Sequence, residues 1–192
     1  MSKVGLFFGS FNPIHVGHLI IANYMTNFTD LDEVWFVVSP HNPFKEKKSL
    51  GNMYDRLEMV NLAIDGEDRL RASDVEFNLP QPSYTIDTLT HLRERYPLKE
   101  FALIMGADNL EGLPKWKNAD IILRDYPIVV YPRPGYDGGI LKDHPAVQLT
   151  DTPLLELSST FLRKSIRDKK NIRFYTPDNV IEFIEKRGLY SL

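Results

Sequence analysis

The chain has 192 residues, 43% apolar and 26% charged, with a formal net charge of −3 and no cysteine. These are the proportions of one globular domain, long enough to bury roughly 70% of its unfolded surface without a disulfide or metal staple. They exclude disulfides, thiol catalysis and thiolate metal sites, fit a cytoplasmic protein, and offer no bulk positive field for nucleic acid or an anionic membrane.

The chain opens at Met1-Ser2-Lys3-Val4 without the apolar stretch of a signal peptide. Val4–Phe8 reads as a strand buried on both faces, followed by an amphipathic helix over His18–Asn27. Val34–Val38 is a second strand and Tyr54–Ile64 a second helix. A shorter extended segment follows at Leu70–Phe77, then a helix over Thr85–Tyr96, a strand over Phe101–Met105, a helix over Lys115–Arg124 and a strand over Ile128–Tyr131. Every apolar run is strand length, too short to cross a bilayer. Pro132–Pro145, rich in Pro and Gly, is a surface loop. The last helix is capped by Thr176, carries Pro177 in its first turn and ends at Gly188. Strand–helix alternation of this kind predicts an α/β fold, a parallel sheet with right-handed crossovers, in a single domain over residues 1–192.

The polar and glycine residues cluster. Gly9-Ser10, Ser39-Pro40-His41, Gly106-Ala107-Asp108 and Tyr131-Pro132-Arg133 each follow a predicted strand. Ligands of open α/β sheets bind beyond the carboxyl ends of the strands, so four segments point to one site. In Gly9-Ser10-Phe11-Asn12-Pro13-Ile14-His15-Val16-Gly17-His18, the histidines are three apart across a helix start and can face one spot. The first-turn amides of that helix attract phosphate. A His-x-x-His chelate is the alternative, but there is no convincing third ligand, so no metal site is expected. In Leu157-Ser158-Ser159-Thr160-Phe161-Leu162-Arg163 a hydroxyl caps another helix, and Arg163 follows Ser159 by one turn, where its fork can grip phosphate oxygens. Lys45 is a third basic candidate. There is no P-loop Gly-x-x-x-x-Gly-Lys-Ser/Thr and no Gly-x-Gly-x-x-Gly.

The Gly9–His18 run closely resembles the first signature of the nucleotidylyltransferases, Gly-x-Phe-x-Pro-x-His-x-Gly-His, with both histidines in place. Asn12 stands where many bacterial members carry Asp. Ser159-Thr160-Phe161-Leu162-Arg163 is similar to the end of the family's Ser-Ser-Thr-x-x-Arg signature. Pro82–Leu89, Gly106–Leu110 with Lys115-Trp116, and Glu76 extend the likeness to the nicotinate-nucleotide adenylyltransferases over nearly the whole chain. The resemblance implies a Rossmann-like, doubly wound sheet with helices on both faces. It implies adenylyl transfer from ATP to nicotinate mononucleotide, with release of pyrophosphate, in NAD biosynthesis. It assigns ATP and its phosphates to Gly9, Ser10, Phe11, His15, His18, Lys45, Gly106, Asp108, Ser159, Thr160 and Arg163, with His18, His15 and Arg163 catalytic. It assigns the nicotinate nucleotide to Tyr84, Thr85, Trp116 and Lys117, with Trp116 stacking on the ring. Mg²⁺ is expected to arrive with ATP. Nicotinamide mononucleotide or phosphopantetheine as acceptor, and a nucleotide-binding regulatory protein without turnover, are the alternatives. A homo-oligomer is compatible with the sequence.

Overall fold

The computed structural model describes residues 1–40, 50–153 and 155–191. The four apolar runs become the central strands: β1 (Ser2–Gly9), β2 (Glu33–Val38), β4 (Lys99–Gly106) and β5 (Ile128–Tyr131). Shorter strands flank them, β3 (Leu70–Ser73) and β6 (Val147–Leu149). All six are parallel, in the order β3-β2-β1-β4-β5-β6. Parallel strands need crossovers, and these place helices on both faces. The helices are α1 (Val16–Phe28), α2 (Met53–Ala63), α3 (Thr85–Arg95), α4 (Ala107–Gly112), α5 (Ala119–Asp125), α6 (Ser159–Arg167) and α7 (Asp178–Arg187).

Alternation along β1 and β2 splits the core into two. Leu6, Trp35 and Val37 face Leu89 and Leu92 of α3 and Ile122 of α5. Phe7 and Phe36 face Ala22 and Met25 of α1, Met59 and Val60 of α2, and Val180 and Ile184 of α7. This is the doubly wound α/β architecture that the alternation and the resemblance predict, and β1 and β4 at its centre carry the reversal of strand order where ligands bind.

Four details differ from the sequence expectation. The helix expected over Lys115–Arg124 is broken: Leu113–Lys115 forms a 3₁₀ turn containing Pro114, Asn118 takes a left-handed φ of 52°, and α5 starts only at Ala119. The extended stretch Leu70–Phe77 is strand only to Ser73 and then turns into a 3₁₀ helix, Val75–Asn78. Pro177 occupies the cap position of α7 rather than its first turn, while the Thr176 hydroxyl donates to the Ile14 carbonyl at 2.9 Å and so ties α7 to the β1–α1 turn. The edge strand β6 carries no apolar run, because most of it is exposed. Among the described residues no helix is long and apolar enough to cross a membrane.

Candidate active site

The turn between β1 and α1 has almost no ladder to hold it, and side chains from distant elements do so instead. The Ser10 carbonyl accepts from Arg56 Nη1 (2.7 Å), the Asn12 carbonyl from Arg163 Nη1 (2.8 Å), the Pro13 carbonyl from Ser159 Oγ (2.8 Å) and the Ile14 carbonyl from Thr176 Oγ1. Asn12 Oδ1 accepts from Tyr190 Oη at 2.8 Å and from the Gly51 amide at 3.2 Å. Phe11 sits at φ 43°, a conformation costly for a bulky residue. Its ring is edge-on to Phe7, Phe36 and His18, which holds it there. A Cβ at Gly9 would lie 2.7 Å from that ring, so glycine is required by Phe11.

His15 caps α1 with extended backbone, φ −147° and ψ 168°. Its ring stacks on His18, centroids 3.7 Å apart, and its backbone N–H donates to His18 Nδ1 at 3.2 Å. An imidazole that accepts at Nδ1 carries its proton at Nε2, so His18 is set as an Nε2–H donor. His15 is 5% exposed, and its Nδ1 has no partner among the described residues. Burial, with the nearby Arg133 charge, pushes its pKa from 6.5 down to about 4, so it is neutral near pH 7. Gly17 lets the His15 ring lie close, since a Cβ there would approach Nδ1 to 3.0 Å. Two first-turn amides expected to meet phosphate are already committed: Val16 N–H donates to the Tyr175 carbonyl and His18 N–H to the His15 carbonyl.

These histidines line a cleft of about 610 Å³ whose walls also carry Ser10, Asp108, Arg133, Thr160 and Arg163. Asp108 Oδ1 is 3.5 Å from Arg133 Nε and has no hydrogen-bond donor among the described residues. Gly106 lies just behind it, not in the lining; a Cβ there would meet Asp108 Oδ1 at 2.4 Å. Ser158 caps α6 by accepting from the Phe161 amide at 3.2 Å. Arg163 Nη2 donates to Thr160 Oγ1 at 3.2 Å, so its guanidinium is fixed at the cleft edge. Of the four strand-end segments, those at Gly9, Asp108 and Tyr131 reach the cleft wall; Ser39 does not. A second cavity of about 590 Å³, lined by Lys3, Glu100, Tyr126 and His144, carries none of the signature residues.

Tyr84, Thr85 and Lys117 form a separate cluster, and the adjacent Trp116 is packed against the core of the α3 face. Tyr84 caps α3 and Thr85 is its first residue. Lys117 Nζ lies 4.7 Å over the Tyr84 ring and is bound by both Asp87 oxygens at 2.9 and 3.1 Å. The buried Glu76 accepts from Thr88 Oγ1 at 2.9 Å, with the Ser39 and Ser83 hydroxyls close by. Its burial raises the carboxyl pKa against those hydrogen bonds. Lys45 and His41 lie outside the described residues.

The sequence reading missed Arg56 and Tyr190. Arg56 shares the buried face of α2 with Met59 and Val60, at helical spacings of three and four. A charge on an apolar stripe was the available signal. Tyr190 had none, because 178 positions separate it from Asn12.

The cytidylyltransferase-like family model matches residues 6–165. A Cytophaga hutchinsonii protein named "Probable nicotinate-nucleotide adenylyltransferase" is 52% identical over 189 residues, 98% of each chain. A Flavobacterium johnsoniae protein of the same name is 52% identical over 191 residues, 98% of this chain and 99% of the relative. The chain belongs to the nicotinate-nucleotide adenylyltransferase family. Its fold matches that of Plasmodium falciparum nicotinic acid mononucleotide adenylyltransferase, solved with NaAD, at a TM-score of 0.82 and 22% identity, over 99% of this chain and 98% of that one.

Proposed function

We propose that this chain transfers the adenylyl group of ATP to nicotinate mononucleotide, giving nicotinate adenine dinucleotide and pyrophosphate. The observation that carries the reading is the His15–His18 pair at the base of a cleft whose walls bear Arg163 and Asp108. The acceptor is a phosphate monoester, ionised near neutral pH, and needs no general base. Catalysis is then positioning and charge stabilisation of an in-line attack on the α-phosphorus, without a covalent enzyme intermediate. The phosphate oxygen of the acceptor forms the new P–O bond as the bond to the leaving pyrophosphate breaks.

His18 Nε2–H donates to the phosphate oxygens on which charge grows. His15 and Arg163 hold the triphosphate, Arg163 with its planar fork. The exposed part of the Asp108 carboxylate accepts from a ribose hydroxyl or the adenine edge. Lys45, outside the described residues, keeps the phosphate-binding role that the family resemblance implies. Mg²⁺ supplies charge neutralisation on the triphosphate. Arriving with ATP, it would be carried mainly by phosphate oxygens and water. Trp116 stacks on the pyridine ring and the backbone around Thr85 and Lys117 receives its carboxylate. The Lys117 ammonium is already paired with Asp87, which leaves recognition to the amides at the start of α3. The enzyme would act in the cytoplasm. Pyrophosphate release from ATP and Mg²⁺, measured with nicotinate mononucleotide, nicotinamide mononucleotide and phosphopantetheine as acceptors, tests the reading; release with the first alone or foremost is expected.

A further inference from the structure

Arg56 is fully buried, yet among the described residues no carboxylate lies within ion-pair distance of it. An unpaired charge in a protein interior is costly unless its donors are satisfied. Here Nη1 donates to the Ser10 and Ser39 carbonyls at 2.7 and 2.8 Å, Nη2 to the Pro40 carbonyl at 3.1 Å, and Nε to the Gly51 carbonyl at 3.0 Å. Ser10 belongs to the turn that carries the histidines, and Ser39 directly follows the neighbouring strand β2. The Ser39 hydroxyl lies by the buried Glu76 carboxylate, which accepts from Thr88 on α3 at 2.9 Å.

Resting on the adenylyl-transfer reading above, we propose that Arg56 is a positioning residue that fixes the donor-phosphate turn relative to the acceptor end of the sheet. Two features support it. The guanidinium holds the Ser10 carbonyl oxygen at 2.7 Å, so that oxygen's position in the turn is fixed and it has a donor within the fold. The same fork grips Ser39, which reaches the acceptor helix through Glu76, so one rigid group links the two halves of the site. A lysine cannot do this. Its ammonium keeps the charge, but a single nitrogen cannot span four carbonyls arranged around a planar fork. Burial lowers the Arg56 pKa to about 10, and it remains charged near neutral pH.

The test uses the full chain with Arg56→Lys and Arg56→Ala, each assayed well below its own Tm and expressed per folded molecule. Arg56→Lys is expected to lower kcat roughly ten-fold or more and to weaken equilibrium ATP affinity, with a smaller change in KM for nicotinate mononucleotide. Guanidinium, but not ammonium, is expected to restore part of the kcat of Arg56→Ala. Wild-type kcat in Arg56→Lys, or losses that follow the unfolded fraction alone, would overturn the inference. If the wild type did not turn over this acceptor, the functional reading would fail instead, and ATP affinity of the two variants would still decide whether Arg56 orders the turn.

Discussion

His18 stacks on His15 at 3.7 Å and accepts the His15 backbone N–H at Nδ1, so the residue that starts the helix also sets the tautomer of the imidazole one turn later. His18→Ala removes the donor whose bond strengthens as charge develops on the leaving group. Turnover should fall roughly 10²–10³-fold while ATP affinity changes much less. Steady-state kcat beside equilibrium nucleotide binding measures both. Near wild-type turnover would remove His18 from the mechanism.

Arg163 does two things at once: Nη1 holds the Asn12 carbonyl and Nη2 the Thr160 hydroxyl. Arg163→Lys keeps a charge and loses the fork, so ATP and pyrophosphate should each bind roughly ten-fold more weakly. Titration calorimetry with either ligand reads this directly, and unchanged affinities would make Arg163 a strut of the turn and nothing more.

The buried His15 also makes stability depend on pH. Its folded pKa, about 4, lies below its ordinary 6.5, because burial first and Arg133 second disfavour the charged ring. The folded state therefore resists protonation. The contribution is fully present above pH 6.5, is lost as pH falls towards 4, and amounts to about 3 kcal/mol over that window. Urea unfolding at pH 7.5, 5.5 and 4.5 should show a steeper acid loss for the wild type than for His15→Gln. Parallel pH profiles in the two proteins would contradict the burial argument.

Much of this was legible in the sequence because the physics is local. The four central strands are covered on both faces, so each writes itself as an unbroken apolar run. The edge strand β6 and the break at Asn118 do not, since one is exposed and the other depends on a left-handed residue set by its tertiary surroundings. The site divides in the same way. The two histidines, Ser158 and Arg163 advertise themselves through helix starts. Ser159 carries the signature of a phosphate ligand, yet its hydroxyl donates to the Pro13 carbonyl. Arg56 and Tyr190 act on backbone and side-chain atoms far away in the chain, which no periodicity records.

Trp116 and the start of α3 separate ring recognition from carboxylate recognition. Trp116→Ala should weaken nicotinate and nicotinamide mononucleotide alike, since a stacked indole reads the ring and not its substituent. KM for both acceptors is the measurement; loss confined to one of them would place Trp116 at the substituent instead.

The central claim rests on the acid. Nicotinate offers two acceptor oxygens and a charge to the amides at the head of α3, where the helix dipole favours an anion. Nicotinamide would set an NH₂ donor against one of those donors, a mismatch costing about 1–3 kcal/mol. The most direct measurement is the ratio of kcat/KM for nicotinate mononucleotide to that for nicotinamide mononucleotide, at fixed ATP and Mg²⁺. A ratio of at least several-fold in favour of the acid is predicted, and equal efficiency or a preference for the amide would contradict the assignment.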